Sequence, residues 1–319
     1  MTTLPPIQVV PQLVRVGSFS AWELLACPSL FEQAPRLSLH SSHDPGTSAR
    51  VTEGYPYRLA ATEAATGRTP AARLQALATL VGQSLHGLPE EAQLIVLLPE
   101  TCHRDTPLRE SLLAALALPS SAIAGEGATA LARLYPRWAS TLQQHQPVRL
   151  VALDCPVPLP RADGCPLACE GVLIVDLIPA EQGLGCRAAR YALQGGFAQP
   201  EAALLSVFAQ LQHTLDPSSP LITRLYPTTA HAYASEWIRP LQQITSLAIA
   251  PEYAFPAAAL GEMGSLEPVV QLLHLAYRQH HWPDNALMSL HWQADRHGGR
   301  AALLWTAAAP AHHQEEPHG

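Results

Sequence analysis

The sequence predicts an α/β protein built from two tandem, similar halves. Three observations carry that expectation. Unbroken apolar runs of strand length recur, LIVLL at 94–98 and VLIVDLI at 172–178 among them, as expected of strands buried on both faces of a sheet. Segments with apolar residues at helical spacing lie between such runs, Leu74, Leu77, Val81 and Leu85 being one set. Each half then follows one order: strands, a helix that starts in small residues, and a closing pair of strands. The halves are expected to cover 1–190 and 195–319, to pack face to face, and to be separated by a break at Gly183, Gly185, Gly195 and Gly196.

The elements follow in order. Alternation of Ile7, Val9, Leu13, Val14 and Val16 predicts one or two short strands in 5–17. Residues 19–33 are apolar and irregular, and 37–54, rich in Ser, His, Asp and Gly, reads as a loop. Arg68-Thr69-Pro70 opens a helix that Gly87 and Pro89 end, since proline suits a first turn and not an interior. A strand at 94–98, an amphipathic helix at 106–116 and a second strand at 149–153 follow. Between the last two, the small residues Ala124 to Ala128 open a helix carrying Ala130, Leu131 and Leu134. Beyond the strand at 172–178 come a helix at 202–215, a strand at 221–226, a helix at 234–241, a buried strand at 244–250 and a helix at 266–278. A hairpin joins 287–292 to 301–305 through His297-Gly298-Gly299, and the chain from Ala307 reads as a frayed end.

Composition narrows the function. The chain has 319 residues, 48% apolar and 14% charged, with a formal net charge of −7. That is enough apolar material for a sizeable core. The acidic balance gives no basis for nucleic-acid or anionic-membrane binding. The sparse charge fits a surface covered in a complex, and equally an Ala- and Leu-rich composition. No apolar run reaches transmembrane length, and MTTLPPIQVV lacks the basic and apolar blocks of a secretory signal, so a cytoplasmic protein is expected. Four of the six cysteines, Cys155, Cys165, Cys169 and Cys186, crowd together, the others being Cys27 and Cys102. Their irregular spacing favours free buried thiols over a zinc site. His40, His43 and Asp44, and the tail pair His312-His313, are weak ligand candidates in solvated segments. No metal and no cofactor is expected.

Several short motifs, in order, resemble those of the thiolase and β-ketoacyl synthase superfamily. Residues 125–134 resemble its nucleophile helix start, Cys-Ala-Ser-Ser-Leu, and setting Leu131 on the final Leu puts Gly127 in the cysteine's place. Residues 148–154 resemble the strand ending in Gly-Gly-x-Asp, and Cys169-Glu170-Gly171-Val172 resembles Gly-Glu-Gly-Ala. Tyr226-Pro227-Thr228-Thr229 with Glu236 resembles the His-Gly-Thr-x-Thr loop and its trailing acid, with His231 close by but off register. Gly261-Glu262-Met263-Gly264 resembles the Gly-His loop before the long C-terminal helix. The resemblance covers about 68–305 and implies a thiolase-like five-layered αβαβα fold of two pseudo-duplicated halves.

Departures from the family's pattern set the functional expectation. Family members acylate a cysteine and stabilise charge with two histidines, or with His and Asn. Here Gly127 stands for the cysteine and Glu262 for the second histidine. The resemblance therefore implies a pseudoenzyme whose vestigial pocket holds Glu126, Gly127, Thr228, His231 and Glu262. One reading is a binding scaffold or adaptor, extending to an accessory protein for bacterial type VI secretion effector loading. Another is a chain-length-factor-like partner of an active synthase. A third is an enzyme with a relocated site using Glu126, Glu262 or His231 with Glu236; the two glutamates fit better as acids that favour a helix N-terminus. Partners are expected to be a secretion adaptor, an effector or a homologous synthase subunit, in a homo- or hetero-dimer near 94–98 and the helix after Gly127.

Overall fold

The computed structural model describes residues 4–17, 37–40, 55–58, 69–119, 121–156, 168–196, 200–215, 219–228, 236–255, 260–284 and 286–308. Strands β1 (Ile7–Val16), β4 (Gln93–Leu98), β5 (Ile123–Glu126), β6 (Val148–Asp154) and β8 (Gly171–Pro179) alternate with helices α1 (Pro70–Leu85), α2 (Thr106–Leu116), α3 (Ala130–Arg133) and α4 (Tyr135–Gln143). Strands β9 (Gly183–Leu193), β10 (Ile222–Tyr226), β11 (Leu247–Tyr253), β12 (Met288–Ala294) and β13 (Gly299–Ala308) alternate with α5 (Pro200–Gln212), α6 (Ile238–Leu241) and α7 (Glu267–His281). β2 (Leu37–His40), β3 (Tyr55–Arg58) and β7 (Ala168–Cys169) form a small separate sheet.

Strand order repeats. The large sheet runs β11-β10-β12-β13-β9-β1-β8-β6-β4-β5. From β1 outward the neighbours β8, β6, β4 and β5 are joined antiparallel, antiparallel, parallel and parallel. From β9 outward, β13, β12, β10 and β11 follow in the same order and the same senses. The two sets meet at one β1–β9 pair, Ile7 with Leu184. Residues 180–182 connect β8 of the first set to β9 of the second. Of the glycines of the expected break, Gly183 and Gly185 begin β9, which pairs with β13, and Gly195 and Gly196 lie in a short turn just after it. Gly183 is required there: with φ +148°, a Cβ would lie 2.2 Å from the Ile7 carbonyl oxygen.

Side-chain alternation builds five layers. On β6, Val148, Leu150 and Ala152 enter a central core, and Val151 and Leu153 enter an outer one. On β13, Ala301, Leu303 and Trp305 enter the same central core, and Ala302 and Leu304 the opposite outer one. Leu74, Leu77, Leu112 and Leu116 of α1 and α2 cover the first outer face, and Leu204, Val207, Phe208 and Leu211 of α5 cover the second. α3, α4 and α7 lie between, sharing one core with strands of both sets. α7 is buried at every position from Glu267 to Leu275, as a helix packed on all sides requires. Trp138 of α4 stacks on Trp305 of β13, centroids 6.2 Å apart. This is the αβαβα arrangement expected.

Some local expectations are corrected. Ile123–Glu126 is strand β5, paired in parallel with β4, so the small-residue run does not open directly into a helix; helical structure begins at Ala130. The segment at 37–54 contains strand β2. β11 is the last strand of the sheet and carries a fully exposed Ile249, not a buried core run. Of the helix expected at 234–241, the described part is one turn, Ile238–Leu241. His43, Asp44, Cys27, Cys165, His312 and His313 lie outside the described residues.

The Cys-Glu-Gly motif explains itself through a buried ion pair. Arg73 of α1 donates from Nε to Glu170 at 2.6 Å, and both side chains are almost wholly enclosed. Removing one partner strands a charge in the core. Arg73→Met is expected to lower stability by roughly 3–5 kcal/mol, read by urea unfolding. A cost under about 1 kcal/mol would contradict this role for the pair.

Candidate functional site

The site lies where β6 and β12 end. Asp154, the last residue of β6, stands opposite Gly171 at the start of β8. Asp295 follows β12, and its N–H bonds the Gly299 carbonyl at the start of β13. The two aspartates thus hold the same position in the two repeats. Each reaches the start of the other repeat's central helix. Asp154 accepts the Ser265 N–H at 2.7 Å, in the Gly264–Leu266 turn that leads into α7, and the Cys155 N–H at 2.7 Å. Asp295 accepts the Thr129 N–H at 3.2 Å and a short bond from the Thr129 hydroxyl, immediately before α3. Such carboxylates satisfy amides that a helix start leaves unpaired.

Both contacts demand glycine. Gly127 has φ +84°, and a Cβ on it would lie 2.6 Å from Asp295 Oδ1. Gly264 has φ +54°, and a Cβ would lie 2.1 Å from Asp154 Oδ2. Burial raises the Asp154 carboxyl to about 7, against the pull of its bonds from Ser265 and Cys155, with Glu100 adding to the rise. Asp295 is raised to about 6 by burial, opposed by Thr129 and again assisted by Glu100.

Between the two helix starts lies a cavity of about 260 Å³. Ala128, Asp154, Cys155, Glu262, Met263 and Glu267 line it, with Glu100, Arg296 and His297 at its other side. Glu262 is ion-paired to Arg296 at 2.8 Å, and Glu100 accepts the His297 N–H at 2.6 Å. Thr228 donates its hydroxyl to Glu267 at 3.0 Å and so braces the wall from behind.

The residues singled out from sequence are therefore partly gathered. Glu262 faces the cavity, and Thr228 touches it through Glu267. Gly127 immediately precedes the wall residue Ala128. Glu126 is not among the described lining residues; it is ion-paired to Arg109 at 2.9 Å and lies 3.8 Å from Arg133. Glu126 and Glu262 thus have separate arginine partners. His231 lies outside the described residues. Glu236 makes two bonds to the buried Arg300, at 2.7 and 2.9 Å. Sequence reasoning missed Asp295, Glu267, Arg296 and His297. Their only signal was position, just beyond a predicted strand or at a predicted helix start. Cys102, Cys155, Cys169 and Cys186 are buried, and burial lifts the Cys102 thiol to about 12. Among the described residues no His, Cys, Asp or Glu cluster has the geometry of a metal site. Nor is any described helix long and apolar enough to cross a membrane.

No protein-family model and no curated protein matches the sequence. Solved structures do match the fold. The ishigamide ketosynthase/chain length factor aligns over 96% of this chain and 99% of its own, with TM-score 0.62 at 13% identity. An oxazolomycin ketosynthase domain from Streptomyces albus JA3453 aligns over 97% of this chain and 76% of its own, with TM-score 0.64 at 10% identity. A type II polyketide synthase acyl-carrier protein in complex with its ketosynthase bound to the hexaketide matches over 95% of this chain and 100% of the other, with TM-score 0.61 at 9% identity. The chain has the thiolase-like fold of ketosynthases and chain length factors.

The packing at Gly127 is open to test. Gly127→Ala is expected to cost roughly 1–3 kcal/mol in backbone strain alone, with displacement of Asp295 in addition. Gly195→Ala, whose Cβ would meet nothing within 4 Å, is the control. Equal urea midpoints for the two variants would contradict the contact.

Proposed function

We propose that this chain is a non-condensing subunit on the ketosynthase fold, which acts by binding a protein partner, and that the partner is a homologous synthase subunit. The observation that carries the reading is the closed helix start. Gly127 stands where the resemblance puts the nucleophile, and Asp295 occupies the space a side chain there would need. Its neighbour Ala128 presents only a methyl group to the cavity. Neither residue attacks a thioester. Glu262, in the place of the second histidine, is held by Arg296, so the charge arrangement differs from one that stabilises a developing oxyanion.

A synthase-type partner is favoured by the fold matches, which include a ketosynthase/chain length factor and a ketosynthase with its acyl-carrier protein. The sheet supports pairing at β5, the edge strand opposite β11, beside the closed helix start. β4, the strand first expected to pair, is enclosed between β5 and β6. The adaptor role in type VI secretion rests on family resemblance alone, and no cavity residue favours it.

Incubation with acyl-CoA and acyl-carrier thioesters, followed by intact-mass measurement, tests the chemistry. No covalent adduct is expected. An acyl adduct lost in Cys155→Ala would overturn the reading and restore an enzyme with a relocated nucleophile. For assembly, light scattering at micromolar concentration is expected to give a dimer, alone or with a co-expressed homologous subunit. A stable monomer in both conditions would count against the partner.

A further inference from the structure

Two arginines beside strand β11 have more donors than acceptors. Arg224 of β10 is 9% exposed. Its Nε donates to Glu252 of β11 at 3.2 Å. Arg278 of α7 donates from Nη1 to the other oxygen of the same carboxylate in a short bond. Two guanidiniums thus share one carboxylate, which leaves one positive charge over. Arg224 Nη1 and Arg278 Nε are enclosed and meet no acceptor among the described residues. An enclosed donor of a charged group is costly to leave without an acceptor.

The strand register shows how the cluster is built. Ile222 of β10 pairs with Leu247 of β11, but Arg224 pairs with Glu252. Two steps along β10 are therefore matched by five along β11, and the three extra residues form a bulge. An unbulged ladder would put Ile249 opposite Arg224; Ile249 is instead fully exposed, and Glu252 takes the place. Bulges re-aim side chains in this way at sheet edges and beside functional sites. Glu252 is exposed and Arg278 half-buried, so the cluster reaches the surface on their side. Behind it the Tyr226 hydroxyl meets His274 Nδ1 at 2.7 Å. Burial first, then the charges of Arg278 and Arg224, lower His274 to about 4, with Glu252 opposing.

We propose that Arg224 and Arg278 form a binding site for a small oxyanion, a carboxylate or phosphate group, which accepts from the donors that Glu252 leaves over. Glu252 is a positioning residue there: it holds the two guanidiniums together. An oxyanion suits the site because guanidinium donors match its oxygens in geometry and charge. One bound anion also cancels the surplus positive charge. Entry is from the side of Glu252 and Arg278, the members that reach the surface. The site is separate from the cavity at the helix starts. Arg278 lies about 16 Å along α7 from Glu267 in the cavity wall. It binds whether or not the protein's partner is a synthase subunit.

The test is a titration of the full chain with acetate and, separately, with phosphate at pH 7. Ionic strength is held constant with chloride, and the arginine Nε–H resonances are followed by NMR. Saturable shifts are expected at Arg224 and Arg278, with a dissociation constant in the millimolar range or below. Tighter binding of acetate assigns the site to a carboxylate, and tighter binding of phosphate to a phosphate group. Arg278→Gln should weaken the response at Arg224 by at least about tenfold, the equivalent of one charge-assisted hydrogen bond. Arg239→Gln, in the exposed pair with Glu201, should leave it unchanged. Shifts that rise without saturating, or equal affinity in Arg278→Gln, would overturn the site. Should Arg278→Gln fail to fold, acetamide decides in the wild-type protein. This uncharged counterpart of acetate should leave both arginines unmoved, and an equal response to it would refute the proposal.

Discussion

Each half of this protein is finished by a carboxylate from the other. Asp154 closes the turn into α7, and Asp295 closes the turn into α3. The cap positions themselves supply no side-chain bond, neither Leu266 at α7 nor the Thr129 side chain at α3. The exchange fixes how the two repeats face each other. It also explains the pair of glycines at positive φ, because any Cβ at 127 or 264 would enter the carboxylate that caps the helix. A residue whose absence of side chain looks, in sequence, like a deleted nucleophile is in the structure a packing requirement.

The middle layer follows from the same constraint. α7 is apolar enough to be enclosed, yet it carries Glu267, Gln271 and His274 inside the protein. Each has a defined partner: Glu267 takes the Thr228 hydroxyl, Gln271 bonds the Pro227 carbonyl and Gln293, and His274 meets the Tyr226 hydroxyl at 2.7 Å. Those partners sit on or just after β10 and on β12, so the polar side of the helix is matched to one face of the second repeat. Buried polar groups with fixed partners specify one register where apolar packing alone tolerates several.

Much of the fold was legible because periodicity and apolar runs survive in a single sequence. The helix at 106–116 and the strands at 94–98, 149–153 and 172–178 were readable because each is covered on its faces and carries a simple pattern. β11 was misread because Leu247, Ile249 and Tyr253 look like core residues, whereas the edge of a sheet leaves them half-buried or exposed. β5 was missed because the short run Ile123 to Glu126, with two small residues and an acid after one isoleucine, becomes a strand only when β4 supplies the partner. β9 was misread as a break because Gly183 at its start is demanded by close backbone approach to β1, a contact between distant segments. At the candidate site Glu262 and Gly127 were found by motif order. Asp295, Arg296 and His297 were hidden in a hairpin turn whose sequence signals only a turn.

The central claim is that the two repeats hold each other through these carboxylates. A double-mutant cycle on Asp295→Asn and Thr129→Val, read by urea unfolding, addresses it most directly. The two positions lie in different repeats and far apart in sequence, so only a direct contact couples them. A coupling of about 1–3 kcal/mol is expected for a buried hydrogen-bonded carboxyl. Additive single effects, with coupling near zero, would contradict it.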